Sequence, residues 1–469
     1  MSLDMTVIAT YFLITFLIGL WASKGVKTLE DFSTGGRGYG SFFVCASLSA
    51  SFIGGGFTMG LAEKTFSFGL VYVLAMFGFS FKEFLMAKIL VPKMQKFSSA
   101  VSVGDIMLKL YGHGARVFTG LSGFLICSGI LAAQLSAFGY VLHVLLDWPH
   151  AWGMLLGVVV VLSYAILGGL KSVIAAEVFH FCVLIVAMPL ILYFGWTNAG
   201  GTQALLENIP ESHFSLFGSI GILGFASLFL SFFFGETLAP PYVQRLLVGK
   251  SFYYTAKGAL WSSVLSVPFF MIIGLIGLCA LSLNKGLDSH LALSHVIATT
   301  LPIGFKGLAV AGVLAILMSS ADSFLNAASI SMTHDVVKAL YPEISSQKEL
   351  KISRYLTFLI GGGALFLATS VPGVIDLLLY SYKFWTPSIL IPLIAGILGF
   401  RTSSRVFWVS TLTGVFASVL WTLYPIISEI DSSIVGIFAN GIAFALFHPR
   451  NTSENHISSR GVEQRREAA

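Results

Sequence analysis

Residues 52–60 read FIGGGFTMG and lie in the middle of an apolar stretch, beginning near Ser41, that is long enough to cross a membrane. Each glycine destabilises a helix by about 1 kcal/mol relative to alanine. Backbone groups freed at membrane depth are tolerated only against protein or a water-filled cavity. The triplet Gly54–Gly55–Gly56 therefore indicates either an interrupted helix or a place where neighbouring helices approach closely.

The composition of the whole chain is that of a membrane protein. Of its 469 residues, 56% are hydrophobic and only 10% are charged, whereas soluble domains carry about 25% charged residues. We therefore expect an all-α polytopic protein in a lipid bilayer. The net charge of +5 is not gathered on a soluble domain, so nucleic acid is not an expected partner. The four cysteines fall in apolar runs, which favours core packing over a disulfide framework.

Apolar runs of sufficient length predict about 13 transmembrane helices. The predicted spans are 5–22, 40–62, 68–90, 114–144, 151–168, 172–196, 216–246, 256–283, 304–334, 353–371, 374–400, 404–425 and 433–448. Asp4 before the first run and Lys24 and Lys27 after it reverse the charge order of a cleavable signal peptide. We therefore expect the first run to remain as a helix.

The distribution of basic residues predicts the orientation. With the N-terminus outside, the segments expected to lie inside hold 22 of the 27 Lys and Arg residues, Arg245 among them. This asymmetry predicts an N-out, C-in, multi-pass protein of the inner (cytoplasmic) membrane. The polar tail, 449–469, is predicted to be a disordered cytoplasmic segment.

Sequence motifs for hydrolysis or ATP use are weak. Gly249–Lys250–Ser251 resembles the end of a phosphate-binding loop, but that motif needs a glycine where Gln244 stands and a strand before it. We interpret the segment as a basic loop. The sequence also lacks a zinc-protease motif and a nucleophile elbow. We expect no ATP as a partner and no enzymatic activity.

Several ionisable residues fall inside predicted spans. They are Lys82, Glu83, Glu177, Glu236, Asp322 and Lys383. Inserting such a residue at the bilayer centre costs about 2.5–3.5 kcal/mol of free energy. Residues this costly face a cavity or pair with one another. A structural ion pair is favoured for Lys82 and Glu83, and a functional role is favoured for the deeper Glu177, Asp322 and Lys383.

A second helix break is predicted at Gly235 and Pro240–Pro241, because proline removes a backbone donor. The two breaks lie five spans apart. This spacing predicts two inverted five-helix repeats, each beginning with a discontinuous helix, and such repeats bind solute and ion near the membrane midplane. The alternative is that the glycines only allow close packing.

This organisation divides the chain into five segments. They are an N-terminal extra helix with a cytoplasmic loop (1–38), the first inverted repeat (39–197), the second inverted repeat (198–400), two C-terminal helices (401–448) and the tail (449–469).

The ninth predicted span contains the sequence MSSADS at residues 318–323. Ser319, Asp322 and Ser323 stand at positions i, i+3 and i+4 and share one helix face. Hydroxyl and carboxylate oxygens suit a hard cation. The alternative is that the serines hydrogen-bond to their own helix.

Four motifs in this order make the chain resemble the sodium:solute symporter family, which includes sodium-coupled glucose, proline and sialic acid transporters. They are KTLEDF with GR at 27–37, GGLKSV at 168–173, YVQR with KS at 242–251, and MSSADS at 318–323. The resemblance covers residues 5–448. It implies an inverted-repeat, amino-acid-transporter-like fold, alternating access and sodium as the coupling ion.

The resemblance also implies a sodium site between the broken first core helix and the eighth. Carried over by motif, its ligands are the carbonyls of Ala50, Ile53 and Ile316 and the hydroxyls of Ser319 and Ser320. A possible second cation site comprises Glu177, Asp322 and Ser323. The family usually has Asp, then Gln three residues later, where this chain has Glu177 and His180. That second site could hold sodium, exchange a proton or form a structural pair.

The solute-binding residues are expected around the two breaks. They are Gly54, Gly55, Gly56, Phe57, Gln134, Phe232, Glu236, Tyr382, Lys383 and Trp385. Sugar-transporting relatives have Glu-Gln where this chain has Gly56–Phe57, which argues against a sugar. Lys383 could meet a solute carboxylate and Glu236 an amine, which favours an amino acid or small organic acid. Lys383 could equally neutralise Glu177 or Asp322.

We therefore expect a secondary active transporter that uses sodium to drive symport of a small-molecule solute. Two alternatives stay open from the sequence. One is a proton-coupled symporter of the same fold that uses Glu177 and His180. The other is a transporter-like membrane sensor that binds solute without net flux.

Overall fold

A computed structural model describes residues 3–24, 26–146, 148–370, 374–400 and 402–448. The predicted disordered tail, 449–469, lies outside the described residues. Within them the regular structure is helical, and Tyr39 and Gly249 form an isolated bridge between two loops. The expectation of an all-α protein is confirmed.

The first half of the chain forms helices whose lengths vary widely. They are α1 (Leu3–Ser23), α2 (Leu29–Thr34), α3 (Ser41–Phe52), α4 (Leu61–Phe68), α5 (Val71–Leu85), α6 (Val103–Tyr111), α7 (His113–Leu146), α8 (His150–Asn198) and α9 (Gly201–Asn208). A π-helical turn, Gly56–Gly60, leads into α4, and another, Met86–Leu90, extends α5.

The second half continues with helices of the same kind. They are α10 (Gly221–Phe234), α11 (Pro240–Leu247), α12 (Phe252–Leu283), α13 (Ala292–Thr300), α14 (Phe305–Ile330), α15 (Lys338–Leu340), α16 (Ser346–Ser370), α17 (Val374–Trp385), α18 (Ile391–Leu398), α19 (Ser404–Leu423) and α20 (Ser432–Phe447). A π-helical segment, Ser331–Val337, joins α14 to α15.

Eight helices in the described part of the chain are long and apolar enough to cross a membrane, or nine if a pair bent by 66° counts as one span. Two further apolar helices, Gly218–Phe234 and Ser432–Phe447, are shorter. The chain is therefore a multi-pass membrane protein. The number of 13 spans, the N-out, C-in orientation and the five-segment division stay predictions.

Both predicted helix breaks are present. The first separates α3 from the turn that begins at Gly56, and the two parts meet at 66°. The second separates α10 from α11 across Gly235–Ala239, where Leu238 has a positive φ of 54°. Helix α11 begins with Pro240 and Pro241, which suit the first helical turn because no backbone donor is needed there.

Helix α14 forms the centre of the bundle. Its residues from Ala309 to Ile330 are all buried, and it packs mainly against α7 and α8. A helix that is covered on every side by protein can carry polar residues at membrane depth, because neighbouring helices replace the lipid. This position makes the MSSADS sequence part of the interior.

Helix α8 joins two of the predicted spans, 151–168 and 172–196, across a kink at Gly169. Gly169 has φ +52° and ψ −146°, a conformation that strongly favours glycine. A Cβ atom there would lie 2.4 Å from the carbonyl oxygen of Phe32. The close approach packs the loop helix α2 against the kink.

The kink gives a direct test of the fold. Replacing Gly169 by Ala is expected to destabilise the protein by about 1–3 kcal/mol, because Ala is strained at this φ and its methyl group meets the α2 backbone. Gly363→Ala is the matched control, since a Cβ at Gly363 meets nothing within 4 Å. The control should be neutral or slightly stabilising. Thermal unfolding in detergent compares them, and equal melting temperatures would contradict the interpretation.

Candidate ion- and solute-binding site

The two helix breaks lie next to each other and share contacts with α17. The rings of Phe57, after the first break, and Phe232, before the second, have centroids 6.0 Å apart. A Cβ atom at Gly56 would lie 2.6 Å from Leu378, and one at Gly235 would lie 2.4 Å from Tyr382. Leu378 and Tyr382 are one turn apart on α17, so this helix lies against both breaks.

The serine pair of α14 contacts the end of α3. The Ser319 hydroxyl donates to the carbonyl oxygens of Ala50 at 2.6 Å and of Ile316 at 3.0 Å. The Ser320 hydroxyl donates to the carbonyl of Ser51 at 2.7 Å. Both serines are completely buried. The structure thus brings Ala50, Ile316, Ser319 and Ser320 together, as the predicted sodium site requires.

Ser51, which is not among the ligands that the resemblance implies, also contacts the serine pair. The carbonyl that meets Ser320 belongs to Ser51, two residues before the Ile53 carbonyl that the resemblance implies. Ile53 follows the last residue of α3, and its N–H donates to Ser49 at 3.1 Å. The motif alone does not fix the residue at which the helix stops, and a difference of two residues changes which carbonyl faces α14.

The glycine triplet is closely covered by polar groups. The Gly55 N–H donates to the Gln134 side chain at 2.5 Å, and the Thr58 hydroxyl donates to the Gly54 carbonyl at 2.9 Å. A Cβ atom at Gly54 would lie 2.6 Å from the Ser320 hydroxyl oxygen. The absence of side chains therefore allows Gln134 to reach the Gly55 N–H and allows Ser320 to lie close to Gly54.

Glu177 lies at the centre of a buried polar network. The hydroxyls of Ser47, Ser51 and Ser323 donate to its carboxylate. Arg245 forms a salt bridge with it at 2.5 Å, and neither side chain is exposed. The prediction that Arg245 belongs to the inner-loop charges is wrong, because α11 carries the residue into the bundle.

Asp322 and His180 have other partners. The Tyr164 hydroxyl donates to Asp322 at 2.7 Å, and the Ser323 hydroxyl lies 3.2 Å from the same carboxylate. His180 lies 3.5 Å from the Thr15 hydroxyl of α1, and its ring is 5.8 Å from that of Tyr11. Asp322 and Ser323 adjoin Glu177, whereas His180 faces the N-terminal helix.

Lys82 and Glu83 form a buried ion pair at 2.9 Å. The Tyr242 hydroxyl donates to Glu83 at 2.9 Å. The Lys82 ammonium group lies 3.9 Å from the centroid of the Phe79 ring, a cation–π geometry. This is the structural pairing that the sequence favoured for the two residues.

The predicted solute residues are mostly buried near the second break. The Tyr382 hydroxyl donates to Glu236 at 3.0 Å, and the Trp385 indole N–H donates to the Thr237 carbonyl at 3.2 Å. Phe57 and Phe232 are also buried.

Lys383 is the exception among the predicted solute residues. It is half-buried, and its ammonium group lies 4.6 Å from the ring of Tyr380, which is 59% exposed. The suggestion that Lys383 neutralises Glu177 is corrected, because Arg245 does so.

Four residues of the site were not predicted from the sequence: Arg245, Ser47, Ser51 and Tyr164. An available signal was Glu177 itself, since a carboxylate inside a span needs a positive partner. The second break, which frees α11 to turn inward, lies close to Arg245 in the sequence.

The Glu177–Arg245 pair gives a second test. Glu177→Gln or Arg245→Gln alone is expected to lower the free energy of unfolding by about 3–5 kcal/mol, because each leaves an uncompensated buried charge. The double variant removes both charges, and its loss of stability should be much smaller than the sum of the losses in the two single variants. Thermal unfolding of the four proteins measures this, and additive losses would show that the two side chains do not depend on each other.

Comparisons with known proteins show the family of the chain. The sodium:solute symporter family matches residues 32–414. The chain is 25% identical over 407 residues to the high-affinity choline transporter 1 of Drosophila melanogaster, a match that spans 79% of this chain and 62% of that protein. It is 23% identical over 355 residues to the high-affinity proline transporter of Bacillus subtilis (strain 168), covering 71% of this chain and 74% of that protein.

Solved structures show the same fold. A sodium-coupled sialic acid symporter, substrate-bound and outward-open, superposes with a TM-score of 0.83 at 20% identity, covering 96% of this chain and 99% of that one. A nucleobase-cation-symport-1 family transporter in a closed conformation superposes with a TM-score of 0.59 at 14% identity. The match covers 90% of this chain and 96% of that one. Because the family match extends over most of the chain, the protein belongs to the sodium:solute symporter family.

Proposed function

We propose that the protein moves a small organic solute across the inner membrane by alternating access, driven by sodium. The observation that carries the proposal is the contact of Ser319 and Ser320 with the carbonyls of Ala50 and Ser51. Hydroxyl and unwound-helix carbonyl oxygens are the groups that coordinate sodium in transporters with discontinuous helices. Membership of the sodium:solute symporter family supports sodium as the coupling ion.

Sodium at this place would link α3 and α14 directly. An ion that binds better when the two helices are close stabilises that arrangement by its differential affinity. If the solute also binds better in that arrangement, each ligand raises the affinity for the other by the same factor. The available driving force is adequate. A tenfold sodium gradient supplies about 1.4 kcal/mol, and a potential of 100 mV adds about 2.3 kcal/mol per charge.

We propose further that the Glu177 site holds no second sodium. The Arg245 guanidinium contacts both Glu177 and Ser323, so a positive charge already stands among these oxygens. This arrangement also argues against proton exchange at Glu177. His180, the other residue of the proton-coupled alternative, faces Thr15.

The solute is proposed to be an amino acid or another small organic compound in preference to a sugar. Two of the related proteins are named for choline and proline transport, and neither of these solutes is a sugar. The small organic acid predicted from the sequence loses support, because Lys383, its proposed partner, lies over the exposed Tyr380.

The serine pair provides the main test. Ser319→Ala combined with Ser320→Ala is expected to abolish sodium-dependent stabilisation and sodium-driven uptake, because both hydroxyl ligands are removed. Ser329→Ala is the matched control: it lies on the same helix, is equally buried and bonds to Ser353 at 2.8 Å. Thermal shift with sodium against potassium chloride measures ion binding in each protein.

Uptake into proteoliposomes then separates the remaining alternatives. Flux under a sodium gradient alone supports the proposal, and flux under a pH gradient alone would replace it with proton coupling. Solute binding without flux under either gradient would indicate a sensor. Sodium dependence that survives in the double serine variant would show that the ion binds elsewhere.

The number of ions gives a separate prediction. If Arg245 takes the place of a second cation, the sodium dependence of uptake should have a Hill coefficient of about 1, since the coefficient cannot exceed the number of sites. Initial uptake rates at varied sodium and constant ionic strength provide the value. A coefficient clearly above 1 would rule out a single coupling ion.

A further inference from the structure

Glu236 is a buried carboxylate with an unused oxygen. The side chain is only 2% exposed and lies in the second helix break. Its Oε1 atom accepts from the Tyr382 hydroxyl at 3.0 Å. Its Oε2 atom has no hydrogen-bond partner among the described residues. A buried polar atom without a hydrogen-bond partner lowers the stability of the fold, so this oxygen is a candidate atom for binding a ligand.

The two basic residues buried in the bundle interior near these sites already form salt bridges with other carboxylates. Arg245 forms its salt bridge with Glu177, and Lys82 forms its own with Glu83. Among the residues that the structure describes, Glu236 has no salt-bridge partner. A positively charged ligand would therefore meet a carboxylate without an ion-pair partner here, whereas a ligand carrying only a carboxylate would place a second acidic group beside it.

The surroundings of the break suit a cationic group with apolar substituents. Phe232 lies one helical turn before Glu236, and its ring is 6.0 Å from that of Phe57. The Phe57 ring in turn lies 5.0 Å from Phe79 and 5.7 Å from Phe270. The Lys82 ammonium group over Phe79 shows that a face in this aromatic group accommodates a positive charge.

The break also interrupts the helical backbone next to Glu236. Helix α10 ends at Phe234, and the chain does not become helical again until Pro240. Glu236 stands inside this interval, beside α17 through Tyr382. Helix α17 contacts the first break through Leu378 as well, so the same helix lies beside Glu236 and beside the glycine triplet.

We propose that Glu236 is the counter-ion for a positively charged nitrogen of the transported solute, so that the protein carries solutes with an ammonium group. This inference rests on the proposed function and specifies its solute class. Tyr382 is a positioning residue, because its hydroxyl holds one carboxylate oxygen and leaves the other for the solute.

A thermal-shift screen of the purified full-length protein tests the proposal. The probes are the standard amino acids, their N-acetyl derivatives, tetramethylammonium and succinate, each in sodium chloride and in potassium chloride. Amine-bearing probes are expected to stabilise the protein in sodium. The N-acetyl derivative of any active amino acid should bind about 30-fold more weakly or worse, because the positive charge is gone.

Variants then assign the effect to the carboxylate. Glu236→Gln keeps the shape of the side chain and removes its charge, so it should weaken binding of the active amine about 30-fold. Sodium alone should still stabilise this variant. Glu63→Gln removes another buried carboxylate, one paired with His290 at 2.8 Å, and should leave affinity unchanged. Tyr382→Phe keeps the charge and should change affinity only several-fold.

The outcomes separate this inference from the proposed function. Equal binding of an amine and its N-acetyl derivative, a response only to succinate, no response to any amine, or full affinity in Glu236→Gln would each overturn the inference. Sodium-dependent binding of an uncharged solute would overturn the inference and leave sodium symport standing. Amine binding that is the same in sodium and potassium would support the inference and count against sodium coupling.

Discussion

A backbone group inside a membrane must find a partner in the protein, and the centre of this structure is organised around that requirement. Two helices stop and restart within the bundle. At the first break, the freed groups are met by Ser319, Ser320, Thr58 and Gln134. These side chains come from three separate parts of the fold, so the break holds α3, α7 and α14 together. The same oxygens that satisfy the backbone are suited to an ion.

The buried charges follow a similar rule. Arg245 and Lys82 each pair with one carboxylate, which leaves Asp322 and Glu236 with hydroxyl partners only among the described residues. The two groups differ in their neighbours. Asp322 adjoins the serine pair of α14, whereas Glu236 lies at the second break and contacts Tyr382. The two carboxylates without basic partners thus lie in different surroundings within the bundle.

The sequence predicted the broken helices well, because three glycines or two prolines inside an apolar run rarely fit an uninterrupted helix. Periodicity placed Ser319, Asp322 and Ser323 on one helix face, whereas the pairing of Ser319 with Ser320 was implied by the resemblance of the MSSADS motif to the family. The sequence-based prediction misplaced Arg245, because hydropathy gives the depth of a segment and not the direction of a side chain. Arg245 enters the bundle on the short helix after the second break, and Lys383 lies over the exposed Tyr380. The Gly169 kink was bracketed by two predicted spans, while its positive φ depends on the α2 backbone.

The two carboxylates without basic partners have an electrical consequence. When both are ionised and no ligand is bound, the binding centre carries negative charge through the membrane as the protein changes conformation. A charge that crosses a potential of 100 mV changes in energy by about 2.3 kcal/mol. A cytoplasm that is electrically negative then favours the outward-facing state of the empty protein. Under the two proposals above, sodium and a cationic solute would neutralise the centre, and voltage would then act mainly on the return of the unloaded transporter.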